Sequence, residues 1–251
     1  MRRNLKSVTN GFLMLMLLSH QACLDDLGSC VQRSGEEVTR AYDLPPFTGL
    51  EARDGLDIVL YQANEQSVLL SGPENVVSNI RLTVEDNLLI VQDENKCGWS
   101  RHDPGTELQV YHPGLEALYQ NGYGEIYSKQ TLQLGDLYLE ARRGSGNISL
   151  SLRGGHIRVN SWRYGTITLR GEADRLSIQY QNNNAIFDAR NLRVGDINMV
   201  HKSNNAFHLR PKGKLSGYLR ARGNAYLYAQ PSEIDVAVSG RGQIVPVYHD
   251  E

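Results

Sequence analysis

The chain has 251 residues, with 26 basic and 28 acidic side chains and a formal net charge of −2. This balance excludes a basic nucleic-acid binder by composition, so no nucleic-acid partner is expected. The length fits one large domain or two small ones.

The N-terminus has the pattern of a signal peptide. Arg2, Arg3 and Lys6 form a basic start, and the apolar run FLMLMLL follows over residues 12–18. The run is far shorter than the ~20 residues of a membrane-spanning helix. We therefore predict that residues 1–22 are a signal peptide.

The pair Ala22-Cys23 predicts cleavage before a cysteine that carries lipid. His20 stands where a typical lipobox has leucine, so plain secretion and an uncleaved anchor are the alternatives. The mature balance becomes 23 − 28 = −5, because three basic residues leave with the signal. Residues 23–45 are then a tether. Asp25-Asp26 is either a solvated part of it or resembles the surface-export signal of Bacteroidetes lipoproteins. We expect an exported lipoprotein that is anchored in the outer membrane. If Asp25-Asp26 is an export signal, the protein is also exposed on the cell surface.

Cys30 and Cys97 remain as a pair once Cys23 carries lipid. Two leftover thiols in an exported chain most often form a disulfide. The bridge would span 97 − 30 = 67 positions, and loop-closure entropy gives it roughly 4 kcal/mol. Two free thiols and a metal site are the alternatives, and no ligand spacing supports the metal.

Residues 46–120 contain short runs that alternate apolar and polar side chains, separated by turn residues. Examples are residues 56–60, 80–84 and 88–91. Such runs predict short strands. A helical stretch near residues 73–79 is too short to carry a prediction.

An internal repeat occupies residues 121–246. Seven turns rich in Gly or Asn each precede an apolar residue, at spacings of 22, 19, 19, 21, 20 and 17. These residues are Ile126, Ile148, Ile167, Ile186, Phe207, Leu227 and Ile244. A second column keeps the same period through Leu139, Val159, Ile178, Met199, Leu219 and Val236. A third lies two positions earlier, at Leu137, Ile157, Leu176, Ile197, Gly217 and Ile234, with Gly217 as its one break.

The repeat predicts an all-β fold, a parallel β-solenoid or single-stranded right-handed β-helix of ~20-residue repeats, continuous with residues 46–120. One unit cannot bury its apolar face alone, whereas units stacked ~4.8 Å apart share a continuous core. An antiparallel sandwich needs no such period. Gly and Asn tolerate φ > 0, so we expect several turn residues in that region, among Gly146, Gly165, Asn184, Asn205 and Gly242.

An ordered set of motifs resembles the bacterial auto-transporter adhesin family with the head GIN domain. The set comprises Phe47 to Leu50, a strand ending at Gln62, Pro113-Gly114-Leu115 before Gly122-Tyr123-Gly124, and the turn at residues 239–244. The likeness covers about Phe47 to Val245, and the middle units depart from it at Tyr164-Gly165 and the Asn runs. The resemblance implies a β-solenoid and surface binding, and it supplies no catalytic residues.

No motif for catalysis is present in the sequence, so we expect no enzyme, no cofactor and no metal. The His residues form no metal-binding cluster, and neither a nucleophile elbow nor a P-loop occurs. A polysaccharide enzyme on a β-helix would need paired carboxylates on neighbouring repeats. The position after the second column holds no acidic pair, since it runs Glu140, Asn160, Gln179, Val200 and Arg220.

Basic and aromatic residues recur three positions after the second column. This candidate ligand ridge comprises Arg142, Arg143, Trp162, Arg163, Tyr164, Lys202 and Arg222. Aromatic rings stack on sugars and arginine binds carboxylate or sulfate, although charges also keep sheet edges from aggregating. We expect a non-catalytic lipoprotein, cell-surface or periplasm-facing, that acts as an adhesin-like binding or scaffold module, with a glycan or protein of the cell surface as the expected ligand. The alternatives are a carbohydrate-binding protein and a polysaccharide lyase or hydrolase. The ligand and the oligomeric state are left open.

Overall fold

The computed structural model describes residues 35–95, 105–162, 165–181 and 184–248, and these are nearly all β. The one helix among them, α1, is a single turn at Glu74–Val77. Within these ranges no helix is both long enough and apolar enough to span a bilayer. The strands are β1 (Glu37–Tyr42), β2 (Gly49–Ala52), β3 (Asp57–Gln62), β4 (Ser67–Pro73), β5 (Ile80–Glu85), β6 (Leu88–Asp93), β7 (Glu107–His112), β8 (Ala117–Gln120), β9 (Ile126–Ser128), β10 (Leu132–Gln133), β11 (Leu137–Ala141), β12 (Ile148–Ser161), β13 (Thr166–Tyr180), β14 (Ile186–His201), β15 (Phe207–Leu209), β16 (Lys214–Leu219), β17 (Ala225–Leu227), β18 (Glu233–Val238) and β19 (Ile244–Pro246).

The repeat region is a parallel β-solenoid, as predicted. Each coil has two strand arms joined by a tight turn. The first arms pair in the order β8, β11, β12, β13, β14, β16 and β18. Strands β12, β13 and β14 reach 14, 15 and 16 residues, because each serves as the second arm of one coil and the first arm of the next.

The N-terminal strands belong to the same stack. Strands β2 and β3 pair in parallel with β8 and β9, and on their other side with β6 and β7. Beyond these, β5 pairs antiparallel with β6, and β4 pairs antiparallel with β7 and β1. Asp86 and Asn87, at φ 49° and 62°, form the turn between β5 and β6, as a two-residue hairpin requires. Non-repeating antiparallel strands therefore cover this end of the stack.

The inward columns bury a continuous core, but one coil differs from the predicted spacing. Leu215, not Gly217, pairs with Ile197, and Gly217 pairs with Met199. Leu219 pairs with His201 and not with Met199, as the repeat had predicted. Side chains in a strand alternate with a period of two, so a shift of two residues keeps apolar residues inside. The apolar pattern therefore could not distinguish the two registers.

The column that follows the turns also differs from the prediction at two coils. Phe187, not Ile186, pairs with Ile167, and the outward Ile186 is 39% exposed. Ala225, not Leu227, pairs with Phe207. A shift of one residue moves a side chain to the opposite face. In the coil that begins with β14, the large inward residue is therefore Phe187 and not Ile186, and Phe187 is fully buried.

The expectation of left-handed turn residues was wrong for four of the five positions. Gly165 has φ +107°, whereas Gly146, Asn184, Asn205 and Gly242 do not have positive φ. Close stacking explains these glycines instead. A Cβ on Gly146 would lie 2.1 Å from the carbonyl oxygen of Gly124 in the preceding coil. Gly242 meets the same limit, because its Cβ would lie 2.1 Å from the Gly223 oxygen.

The last coil exposes side chains that are buried in every earlier coil. Ile234 is 48% exposed, although Leu215 beneath it is fully buried, and Val238 is 50% exposed above the buried Leu219. Strands β18 and β19 each have a neighbour on one side only among the described residues. Antiparallel strands thus cover the N-terminal end of the solenoid, whereas no strand of the described residues covers its C-terminal end.

Candidate functional site

The turns that follow the first arms stack into one continuous edge, which we call the turn edge. Main-chain bonds fix its order: the Trp162 amide donates to Ala141, that of Gln181 to Ser161 and that of Arg220 to His201, over 2.8–3.0 Å. The outward column is therefore Arg142, Trp162, Gln181, Lys202 and Arg220. Successive members are one strand spacing apart, ~4.8 Å.

The structure brings only some residues of the candidate ligand ridge into a single column. Arg220 takes the position predicted for Arg222, because of the register shift described above. Arg222 lies in the next column, beside Arg241 of the last coil. Arg163, Tyr164, Cys23, Cys30 and Cys97 lie outside the described residues, so the lipid and the disulfide stay predictions.

An open cleft of about 480 Å³ lies at the N-terminal part of the turn edge. We call it the balanced cleft, because two carboxylates face two guanidinium groups. Strand pairing places Glu51, Tyr119 and Glu140 in one column across β2, β8 and β11. The lining residues are Glu51, Leu88, Tyr119, Asn121, Tyr138, Glu140, Arg142 and Arg143.

Glu140 is the buried member of this cleft, with only 7% of its side chain exposed. Its carboxylate accepts a hydrogen bond from the Tyr138 hydroxyl and one from Arg142 Nε at 2.9 Å. The guanidinium of Arg142 also lies over the Trp162 ring, 5.3 Å from its centre. Asn160 Nδ2 donates to the Tyr138 hydroxyl at 2.9 Å. Side chains of two neighbouring coils are thus tied together around one carboxylate.

Glu51 is held in its ionised form. Partial burial on its own would raise the pKa of Glu51, but hydrogen bonds from Arg53 and Asn121 outweigh it and leave that pKa below its ordinary value. The bonds measure 2.9 Å from the Arg53 guanidinium and 2.8 Å from Asn121 Nδ2. The positive charge of Arg143 adds to the effect. Glu51 therefore remains an acceptor at neutral pH.

A second open cleft, of about 470 Å³, lies near the C-terminal end of the turn edge. We call it the basic cleft, because its charged side chains are all cations. Arg220, Arg222 and Arg241 are exposed, and Lys202 is half-buried. The lining residues are Lys202, Asn204, Arg220, Ala221, Arg222, Ser239, Gly240 and Arg241.

Buried polar side chains brace the turns from inside. Below the balanced cleft, Gln120 accepts the Gly122 amide at 3.1 Å and donates to the Gly124 carbonyl at 2.7 Å. Below the basic cleft, Nδ1 of the fully buried His201 accepts the Ser203 amide at 3.2 Å. Sequence analysis missed these residues, because single polar side chains at inward positions look like breaks in the apolar pattern.

His201 is neutral at physiological pH. Its ring stacks flat on Phe207, with centroids 3.7 Å apart. Burial lowers the pKa of His201 to about 4, because the charged form would lose its hydration. Among the described residues, no group of three His, Cys, Asp or Glu side chains is arranged to hold a metal ion.

Comparison with known families identifies the chain. The family described as "Putative auto-transporter adhesin, head GIN domain" matches residues 46–231, from the strand before the first turn to the penultimate coil. The chain belongs to this family. The matched residues include the first strands that contribute to each cleft and most of the turn edge. Among curated proteins, no match was found.

Solved structures share the head GIN domain fold. A protein described as a putative adhesin from Bacteroides fragilis is 22% identical, with a TM-score of 0.79 over 86% of this chain and 100% of its own. A putative lipid binding protein from Parabacteroides distasonis is 16% identical, with a TM-score of 0.57 over 85% and 98%. A putative adhesin from Parabacteroides merdae is 14% identical, with a TM-score of 0.56 over 85% and 97%. At these identities the likeness establishes the fold alone.

Proposed function

We propose that this chain is a non-catalytic binding module of the cell surface. A lipid on Cys23 holds it at the outer membrane, and the turn edge binds glycan. The family description supports an adhesin-like role, and the basic and apolar leader supports export. The sequence supports the anchor through Ala22-Cys23. The aromatic and hydrogen-bonding side chains of the balanced cleft support a glycan as the ligand.

The arrangement of the balanced cleft carries the glycan proposal. The aromatic rings of Tyr119 and Tyr138 line the cleft, and Trp162 stands beside it on the next coil, where its ring lies against the lining residue Arg142. Hydrogen-bonding groups of Glu51 and Asn121 lie in the same cleft. Ligand sites combine apolar and aromatic walls with a few placed polar groups. A sugar offers an apolar C–H face to the rings and hydroxyls to the polar groups, so it matches both.

A polysaccharide-cleaving enzyme is the second candidate, because two carboxylates share this cleft. Glu51 and Glu140 are two strand spacings apart in one column, which separates their Cα atoms by ~9.6 Å. A glycosidase needs one of its two acids protonated near neutral pH. The lowered pKa of Glu51 excludes Glu51 as that protonated acid, which leaves only Glu140 for the role. Glu140 is occupied by Arg142 and Tyr138, which favours a binding role for both carboxylates.

The test is glycan binding by the mature chain carrying Cys23→Ser, measured on a glycan array and then by calorimetry. Trp162→Ala should weaken binding about tenfold, since aromatic contacts contribute ~1 kcal/mol or more. Tyr226→Ala is the matched control, because this half-buried ring belongs to the opposite arm, on β17. Equal binding by the wild type and Trp162→Ala would contradict the proposed site.

Two further readouts separate the parts of the proposal. Incubation of each bound glycan with the protein should release no new reducing ends, and release that depends on Glu140 would establish the enzyme instead. In cells, Cys23→Ser should move the protein from the membrane to the soluble fraction. A Cys23→Ser protein that stays on membranes after its signal peptide is removed would refute the anchor.

A further inference from the structure

We propose that the basic cleft is a second binding site, specific for polyanionic glycans that carry sulfate or carboxylate groups. Its cations come from three successive coils. Lys202 and Arg220 are neighbours in one column, because His201 pairs with Leu219. Arg222 and Arg241 are neighbours in the next, because the Arg241 amide donates to the Ala221 carbonyl at 2.9 Å.

No carboxylate of the described residues neutralises these four cations. In the part of the chain that the structure describes, none of them takes part in an ion pair, whereas Arg142, Arg153, Arg193 and Lys214 all do. Their contacts are with neutral groups. Lys202 Nζ donates to Gln181 Oε1 at 2.8 Å, and the Arg220 guanidinium lies 4.4 Å from the centre of the Tyr218 ring.

A general solubilising surface does not account for this concentration of charge. Such a surface mixes both signs, and the chain as a whole is already acidic. Charges that protect a sheet from aggregation belong on its free edge strands. At the C-terminal end of the solenoid the free edges are β18 and β19, and the strand residues Glu233 and Asp235 of β18 are acidic and bound by Lys214. Arg222 and Arg241 lie instead on the turns.

The spacing of the cations indicates a polymeric ligand. Guanidinium groups bind sulfate and carboxylate through paired hydrogen bonds, and they lose less hydration than ammonium groups do. Neighbouring columns repeat the positive charge at each strand spacing, ~4.8 Å. A chain with several anionic groups can engage them together, whereas a single small anion cannot. An exported protein meets such chains as acidic or sulfated polysaccharides.

The experiment measures binding of three polysaccharides, and of phosphatidylglycerol vesicles, by the mature chain carrying Cys23→Ser. We expect dextran sulfate and hyaluronan to bind, neutral dextran not to bind, and affinity to fall as NaCl is raised. Arg222→Gln with Arg241→Gln should weaken dextran sulfate binding at least tenfold, because two charge-assisted hydrogen-bonding groups are lost. The matched control is Arg158→Gln with Arg175→Gln, which removes equal charge from two exposed positions on strands β12 and β13. This control should change the affinity less than twofold.

Three outcomes would overturn the inference. The first is no binding of either anionic polysaccharide by the folded wild type. The second is an equal loss in the control pair, which would mean that only net charge matters. The third is tighter binding to phosphatidylglycerol vesicles than to dextran sulfate, which would indicate a membrane contact. The inference rests on the proposed function only for the ligand being a glycan. If Trp162→Ala leaves glycan binding unchanged while the Arg222 and Arg241 substitutions still weaken dextran sulfate binding, only the balanced cleft is refuted as a binding site.

Discussion

The two clefts share one edge of one solenoid, yet their charges are arranged in opposite ways. In the balanced cleft, Glu140 is buried and paired with Arg142, and Glu51 is held ionised by Arg53. In the basic cleft, the cations have no acidic partner among the described residues. The comparison shows that the stacking of the coils determines the position of each side chain. Whether a charged side chain has an oppositely charged partner depends on the residues of each individual coil. Paired charges contribute to the fold, and unpaired exposed charges are available to a ligand.

The largest expected effect concerns Gly165, in the coil between the two clefts. Its φ is +107°, and a Cβ at this position would lie 2.6 Å from the Gly146 oxygen, which leaves no room for a branched side chain. Gly165→Val should lower the free energy of unfolding by about 3 kcal/mol through strain and overlap. Thr168→Val, a near-isosteric change on β13, is the control and should cost less than ~1 kcal/mol. Equal costs in denaturant melts would show that position 165 is neither strained nor closely packed against the preceding coil.

An intermediate effect distinguishes the two clefts by pH. The pKa of His201 below the basic cleft is about 4 when folded, against ~6.5 when unfolded. The unfolded chain therefore binds more protons between these values, so stability is full above pH 6.5 and is lost as the pH falls toward 4. From pH 7 to pH 5 this residue should cost about 2 kcal/mol.

His201→Gln is the matched variant, because Gln120 braces the equivalent turn of the balanced cleft with an amide. The variant should lose about 2 kcal/mol less than the wild type between pH 7 and pH 5. Burial also lowers the pKa of His112, which is present in both proteins, so its contribution cancels in the difference. Identical pH dependence of the two melts would mean that His201 is not the source.

The smallest effect compares one charge from each cleft. Glu140→Gln removes a buried carboxylate that accepts from Tyr138 and Arg142, and we expect a loss of about 1 kcal/mol in unfolding free energy. Arg222→Gln removes an exposed cation without an ionic partner and should stay within ~0.5 kcal/mol of the wild type. Urea melts at pH 7 check both. A larger loss at Arg222 than at Glu140 would reverse the distinction between the clefts.

The architecture could be predicted from sequence alone, because every repeat of a solenoid buries its apolar residues in the same way. Apolar residues recurring about every twenty positions, with Gly or Asn before them, leave stacked coils as the structure that buries every unit. The same pattern placed Arg142, Trp162 and Lys202 on one edge, where the structure also has them. It could place them because three consecutive coils keep nearly equal lengths.

The register of the shorter coil and the grouping of side chains in the clefts became visible in the folded chain and not before. A strand pattern repeats every two residues, so the apolar columns alone could not show that Arg220, not Arg222, follows Lys202. Glu51 and Glu140 are 89 positions apart in sequence, and they meet because β2 inserts beside β8 ahead of the repeat. Pairing between distant segments depends on which edges remain open after folding, and no local pattern carries that information.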